Sequence, residues 1–164
     1  MTSSKMPRDG VRRRRPRLRD FDYRGGWRYL VTICAFENRR LFTPPWPYDE
    51  TIRVLSSSAG QSGFHVCAYV FMPDHLHLLV AGDEGADLKE FVRLFKSRSS
   101  YHYKKGAGHP LWQRSYYDRV LRKDEDTRAV ARYILNNPIR RGLARSAEAY
   151  PFIGSFVAPV ADWL

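Results

Sequence analysis

The sequence predicts an α+β fold, a ferredoxin-like split βαββαβ antiparallel sheet with an additional C-terminal helix. Segments rich in aromatic and β-branched residues alternate with segments of helical periodicity in the order β-α-β-β-α-β-α. Two neighbouring strand segments are separated by only two residues, and strands so close in sequence have to pair antiparallel. A chain of 164 residues, 43% of them hydrophobic, is long enough to form one packed core.

Regular structure is predicted to begin with a strand and a helix. Residues 27–36 (WRYLVTICAF) are rich in aromatic and β-branched side chains, which is typical of a strand. A proline-rich stretch at 44–47 then interrupts regular structure. Residues 48–59 carry apolar side chains at helical spacing and are predicted to form a helix that ends at Gly60.

A central hairpin and a long helix are predicted next. Residues 64–72 and 75–80 are two apolar runs joined by Pro73 and Asp74. Proline and aspartate favour tight turns, so the two strands should pair with each other. The helix predicted over residues 87–105 is basic and amphipathic, with apolar side chains on one face and lysine and arginine on the other.

One more strand and one more helix complete the predicted domain. Residues 111–121 have the composition of a strand. The helix is predicted over 124–136, with Asp124 as its N-cap and two further acidic residues in its first turn. Pro138 is expected to end it, because proline cannot continue a helical hydrogen-bond pattern.

The charge of the chain predicts a polyanionic partner. The 28 lysine and arginine residues outnumber the 17 acidic residues, which gives a net charge of +11, and nucleic acid is the leading candidate. Residues 1–20 hold eight basic and two acidic residues, lack periodicity, and are predicted to be a disordered arm before a single domain over 21–164. The alternative is a solvated tail that only aids solubility.

Membrane association and disulfide chemistry are not expected. No apolar run approaches the ~20 residues of a membrane span, and no apolar segment follows the charged N terminus as in a signal peptide. We therefore expect a cytoplasmic protein without a membrane partner. Cys34 and Cys67 both fall in apolar strand segments, where buried reduced thiols are expected.

His75 and His77 form a candidate metal site. Side chains two apart on a strand point to the same face, so both imidazoles face the same way while Leu76 faces the opposite layer. Two neutral imidazoles are able to chelate one ion, and this pair favours manganese, zinc or weakly held magnesium. The alternative is two ordinary, half-exposed histidines.

Tyr133 and Asn137 are a second candidate pair. They are four residues apart in the last predicted helix and so share one face. Asn137 could offer a carbonyl oxygen as a third metal ligand, or its side chain could bond to local backbone near the helix end. Tyr133 could be a functional residue or a core aromatic, and Tyr116 and Tyr117 are further candidate tyrosines.

Three separated motifs carry a resemblance to a known family. The motifs are residues 72–80 (MPDHLHLLV), 111–113 (LWQ) and 133–138 (YILNNP), followed by Gly142 and Leu143. With these motifs the chain is similar to the REP-associated tyrosine transposases, which belong to the single-tyrosine HUH transposases of insertion sequences. The similarity runs over residues 17–155.

The resemblance implies roles for the candidate residues. His75 and His77 would be the HUH ligands of Mg²⁺ or Mn²⁺, and Tyr133, on the additional C-terminal helix, would be the nucleophile that forms a 5′-phosphotyrosine. Asn137 stands where insertion-sequence relatives carry a glutamine, which leaves the third ligand open. The implied substrate is single-stranded or hairpin DNA such as a repetitive extragenic palindrome, and the implied oligomeric state is a monomer or a homodimer.

DNA contacts are predicted from two basic regions, the N-terminal arm and the long helix. The residues are Arg12, Arg13, Arg14, Arg15 and Arg17 in the arm, and Lys96, Arg98, Lys104 and Lys105 in the helix. Two alternatives to a transposase remain at this point. One is a domesticated regulator that binds hairpins without cleaving them, and the other is a metal-dependent phosphodiesterase in which water is the nucleophile.

Overall fold

The architecture is a five-stranded antiparallel sheet with helices on both faces. The computed structural model describes residues 18–164, apart from the side chain of His102. The sheet order is β4-β1-β3-β2-β5, and the order of its first four strands confirms the predicted ferredoxin-like arrangement. The strands are β1 (Arg28–Cys34), β2 (Phe64–Met72), β3 (His75–Gly82), β4 (Tyr117–Val120) and β5 (Ile153–Gly154).

The helices divide between the two faces of the sheet. Helices α1 and α2 pack against each other over one face, and α3 packs against β2 and β3 on the other. The helices are α1 (Tyr48–Gln61), α2 (Leu88–Ala107), α3 (Thr127–Leu135) and the short α4 (Asn137–Arg140). Within the described part of the chain, no helix is both long and apolar enough to cross a membrane.

The alternation of side chains along β3 decides which face carries the histidine pair. Leu76 and Leu78 point into the larger core beneath α1 and α2. Leu79 belongs to the second core, which α3 covers. His75 and His77 share the face of Leu79 because strand side chains alternate with a period of two. The histidines therefore lie on the face that α3 covers.

The strand predicted over 111–121 is shorter than expected. Only Tyr117–Val120 joins the sheet, paired with β1, and Trp112 forms a single isolated bridge to Ala35. The Trp112 ring is buried, and its indole nitrogen donates to the hydroxyl of Ser99 at 2.7 Å. The apolar side chains that suggested a strand here serve instead to anchor an irregular segment in the core.

The last helices also differ from the prediction. The N-cap of α3 is Asp126 and not Asp124, because the carboxylate of Asp126 accepts the backbone N–H of Arg128 at 2.9 Å. Pro138 does not end helical structure, since α4 follows after a break at Asn136 and places the proline in its first turn. A proline is tolerated there because first-turn N–H groups have no partner within the helix.

Candidate active site

A cleft of about 730 Å³ lies on the sheet face beside α3. It is lined by side chains from β1, β3, β4, α3 and α4 and from the turn that joins β2 to β3. Four residues predicted from the sequence line it together: His75, His77, Tyr133 and Asn137. The fold thus brings the histidine pair on β3 next to Tyr133 and Asn137, which lie more than fifty residues later in the sequence.

The two histidines face each other across their Nε2 atoms. The Nε2 of His75 lies 3.0 Å from the Nε2 of His77, and the rings are nearly perpendicular at 82°. Each Nδ1 has its own partner: Asp74 Oδ1 lies 2.6 Å from that of His75, and Thr32 Oγ1 lies 2.9 Å from that of His77. These partners fix both ring orientations and leave the Nε2 atoms for a shared ligand.

The donor set fits a divalent metal ion. Two metal–nitrogen bonds of ~2.1 Å at a right angle put their nitrogens ~3.0 Å apart, which is the separation found here. Burial, reinforced by electrostatic interactions with His75, Arg140 and Arg141, lowers the pKa of His77 to about 3. His77 is therefore neutral near pH 7, the form that coordinates a metal. Among residues 18–164 no group of three or more histidine, cysteine or acidic side chains is arranged to hold a metal ion, so a third protein ligand would have to be of another type.

Asp74 supports the orientation of His75. The hydrogen bond from His75 holds the pKa of the Asp74 carboxyl below its usual range. An ionised carboxylate accepts the Nδ1–H of the imidazole, and this selects the tautomer with a free lone pair on Nε2. The turn that makes the hairpin thus also supplies the partner of the first histidine.

Packing of α3 presents Tyr133 to the cleft. Its apolar stripe, including Val130, Ile134 and Leu135, is buried against the sheet, whereas Tyr133 is 56% exposed. The alternative that Tyr133 is a core aromatic is therefore wrong. Of the other candidate tyrosines, Tyr116 is buried in the core beneath α1 and α2, and Tyr117 lines the same cleft.

Asn137 is buried and its side chain bonds to a residue of the cleft. Its Oδ1 accepts a hydrogen bond from Nη2 of Arg140. The hydrogen bond to local backbone that was considered for Asn137 is made by Asn136, whose Nδ2 donates to the Arg132 carbonyl at 2.9 Å. The Arg140 guanidinium also lies 4.0 Å from the centre of the Tyr133 ring.

Sequence reasoning did not identify four residues of the site. Arg140 was detectable, because it follows Asn137 by three positions and lies on the same helical face. Asp74 was interpreted only as a turn residue, although a carboxylate next to a ligand histidine is a common second partner. Thr32 pairs across the sheet with His77, and Arg141 follows the last helix, so both required the tertiary structure.

The predicted DNA-contacting residues of α2 do not line this cleft. Arg12, Arg13, Arg14, Arg15 and Arg17 lie outside the described residues. Lys104 and Lys105 are exposed near the end of α2, and Arg98 is half-buried on the same helix. Lys96 differs from them, because its ammonium group donates to the carbonyl oxygens of residues 113 and 114 at 2.6 and 2.8 Å. Its charge stabilises that loop and is not free for a phosphate.

Comparison with known proteins gives consistent matches. The family model described as "Transposase IS200 like" matches residues 26–137, a range that includes all four predicted site residues. The REP-associated tyrosine transposase of Escherichia coli is 24% identical over 129 residues, which cover 78% of this chain and 74% of the relative. The ISDra2 transposase TnpA of Deinococcus radiodurans is 32% identical over 90 residues, 49% of this chain and 63% of the relative.

A solved structure shares the fold. It is that of a REP-associated tyrosine transposase bound to a REP hairpin, with a TM-score of 0.66 and 21% sequence identity. The similarity covers 84% of this chain and 81% of that one. At this level of identity the likeness concerns the arrangement of strands and helices.

Proposed function

This chain belongs to the IS200-like transposase family, and on that premise we propose that it cuts and rejoins single-stranded DNA beside a hairpin through a 5′-phosphotyrosine intermediate. The observation that carries the proposal is the cleft itself. It brings the imidazole pair of His75 and His77 to the same cavity as the exposed ring of Tyr133. A metal-binding pair beside a solvent-exposed nucleophile is the arrangement that phosphoryl transfer requires.

His75 and His77 would hold the metal ion, Mn²⁺ or Mg²⁺, through their Nε2 atoms. When bound, the ion would supply positive charge that polarises the phosphate and stabilises its developing negative charge. Imidazole nitrogens suit manganese better than magnesium, which prefers oxygen ligands. Asn137 would be the third protein ligand through its Oδ1, the atom that accepts the hydrogen bond from Arg140.

Tyr133 would supply the attacking oxygen. A new bond would form between the tyrosine oxygen and phosphorus, and the bond from phosphorus to the 3′-oxygen would break and leave a free 3′-hydroxyl. One phosphodiester replaces another, so the reaction needs no ATP and a different 3′-hydroxyl is able to reverse it and join strands. A phenol is a weak nucleophile until it loses its proton, and the positive charge of the metal ion that His75 and His77 would hold would favour that loss.

Hairpin DNA is the substrate that the comparison with known structures supports. One similar structure is of a transposase bound to a REP hairpin. The net charge of +11 in this chain suits a polyanion. Arg140 and Arg141 add positive charge within the cleft, and Arg98, Lys104 and Lys105 would contact the strand farther from it. The arm residues Arg12–Arg15 and Arg17 would add further phosphate contacts.

Trapping the covalent intermediate tests this function. A hairpin oligonucleotide from the protein's genomic neighbourhood is labelled, incubated with the full chain and Mn²⁺, and resolved on a denaturing gel. We expect a labelled protein band that disappears with chelator and in Tyr133→Phe. Tyr117→Phe is the matched variant, since Tyr117 lines the same cleft.

Each other outcome points to a different function. Loss of the band in Tyr117→Phe alone would make Tyr117 the nucleophile. Cleavage without any covalent band would indicate a phosphodiesterase that uses water. Binding without cleavage would indicate a regulator that recognises hairpins.

A further inference from the structure

Arg140 contacts both of the helical residues assigned to the chemistry. Its guanidinium stacks on the Tyr133 ring at 4.0 Å and donates a hydrogen bond to Oδ1 of Asn137. Helical side chains tilt towards the N terminus of their helix, so a side chain on α4 reaches back over Asn137 and onto α3. One arginine therefore bridges the proposed nucleophile and the proposed third metal ligand.

The partners of Arg140 leave its charge uncompensated. Among residues 18–164 other arginines, such as Arg93 and Arg119, form ion pairs with carboxylates within 4.0 Å, whereas Arg140 forms none. Its two partners are an aromatic ring and a neutral amide, and it lines the cleft beside the histidine pair. A guanidinium with free donors next to a cavity is well suited to bind a phosphate through two hydrogen bonds.

Arg140 is also free to change partners. Its side chain is exposed, whereas Asn137 is buried, so the guanidinium is able to move towards the cleft without opening the core. While it donates to Oδ1 of Asn137, it places a positive charge beside that oxygen, and a divalent cation would be repelled from the same atom.

We infer that Arg140 binds the phosphate at the cleavage junction, and that it exchanges its bond to Asn137 for that phosphate when DNA enters the cleft. The inference rests on the proposed function. The exchange releases Oδ1 of Asn137 towards the metal and keeps the guanidinium near the Tyr133 ring. DNA binding and completion of the metal site are thereby coupled through one side chain.

The phosphate contact is tested by measuring binding without cleavage. The full chain carries Tyr133→Phe, which keeps the ring that Arg140 contacts. Each phosphate in the single-stranded part of the hairpin oligonucleotide is replaced in turn by an uncharged methylphosphonate, and Kd is measured by fluorescence anisotropy at fixed salt concentration. We expect the methylphosphonate at the cleavage junction to cost about tenfold in affinity, as for one charge-assisted contact, and only that cost to depend on Arg140.

Adding Arg140→Gln to the same protein should reduce the loss at that position to within about twofold. Arg132→Gln is the matched control, because it removes the same charge from α3 at an exposed residue that does not line the cleft. With that variant the tenfold loss should persist. An equal loss at the junction in the Arg140 and Arg132 variants, or an Arg140-dependent loss at a phosphate other than the junction, would overturn the inference.

The exchange at Asn137 has its own measurement. Mn²⁺ is titrated into the full chain without DNA, and the free ion is counted by electron paramagnetic resonance. We expect Arg140→Gln to bind Mn²⁺ about fivefold more tightly than the unchanged chain, because the competing guanidinium is gone. Combining it with Asn137→Ala should cancel the gain. Unchanged affinity in Arg140→Gln would show that the guanidinium does not compete for that oxygen.

The two proposals fail in different ways. Suppose a covalent adduct forms at Tyr133, but the affinity loss caused by the junction methylphosphonate does not depend on Arg140. The proposed function would then stand and the role of Arg140 would be removed. If that loss depends on Arg140 but no adduct forms, the role of Arg140 would stand and the proposed function would be removed.

Discussion

The Nε2 atoms of His75 and His77 lie 3.0 Å apart, while each Nδ1 is held by a separate oxygen, of Asp74 or Thr32. The two Nε2 atoms are thus placed to share one ligand. One oxygen partner comes from the turn between β2 and β3 and the other from β1, so the pair is fixed by the sheet and not by local sequence alone.

Replacing either histidine should abolish tight metal binding. His77→Gln removes one of two imidazole donors, and we expect Mn²⁺ affinity to fall by more than about a hundredfold, beyond the effect of losing an outer partner. Isothermal titration with Mn²⁺ measures it. His65→Gln is the control, because His65 is exposed and pairs with Asp83 away from the cleft. Equal affinities in the two variants would place the metal elsewhere.

Asp74 should tune the metal site without binding the ion. Asp74→Ala removes the acceptor of the His75 Nδ1–H, and we expect Mn²⁺ affinity to fall by about ten- to a hundredfold. Asp74→Asn keeps an acceptor oxygen, so its loss should be smaller. The same titration measures the Mn²⁺ affinity of the unchanged chain, Asp74→Ala and Asp74→Asn. If alanine and asparagine behaved alike, the carboxylate would not be what orients the ring.

Loss of Tyr133 should affect chemistry but not folding. The ring is 56% exposed, so Tyr133→Phe should change the free energy of unfolding by less than about 0.5 kcal/mol. Its neighbour Ile134 is fully buried, and Ile134→Ala should cost about 2–5 kcal/mol. Urea denaturation followed by circular dichroism compares them. A large destabilisation in Tyr133→Phe would mean that lost cleavage reflects unfolding.

Arg28 should stabilise the start of α3. Its guanidinium donates to the carbonyl oxygens of Glu125 and Arg122 at 2.7 and 2.6 Å and to the hydroxyl of Thr127. Arg28→Gln should lower the free energy of unfolding by about 1–3 kcal/mol. Arg53→Gln removes an exposed ion pair with Glu50 in α1 and should change the free energy of unfolding by less than about 1 kcal/mol. Thermal melts distinguish the two, and equal melting temperatures would contradict the role of Arg28.

The lysines of α2 should differ in their effects on DNA binding. Lys104→Ala combined with Lys105→Ala should reduce the slope of log affinity against log salt by about 1.4, if each lysine contacts one phosphate of a single strand. Lys96→Met should leave that slope unchanged and lower the melting temperature, because Lys96 stabilises the loop around residue 113. A change of slope in Lys96→Met would show that it contacts DNA after all.

Local sequence patterns brought the candidate residues forward, and the family resemblance implied their roles. The period of two along a strand puts His75 and His77 on one face. Tyr133 and Asn137 both line the cleft, although the predicted single helix is broken between them at Asn136. Strand composition and the short turn at Pro73 predicted the hairpin that carries the histidines. The strand over 111–121 was overestimated because a buried aromatic such as Trp112 produces the same local signal whether it pairs in a sheet or only fills the core.

The sequence by itself determined the order of the first four strands and first three helices and the residue types available for chemistry, whereas α4 and β5 were not predicted. Only the tertiary structure decided that Thr32 lies opposite His77, that Lys96 bonds within the chain, and that Arg140 bridges Tyr133 and Asn137. The reason is physical. Periodicity depends on neighbours along the chain, whereas strand register and side-chain partners depend on contacts between residues that are distant in sequence, and these form only when the whole core packs.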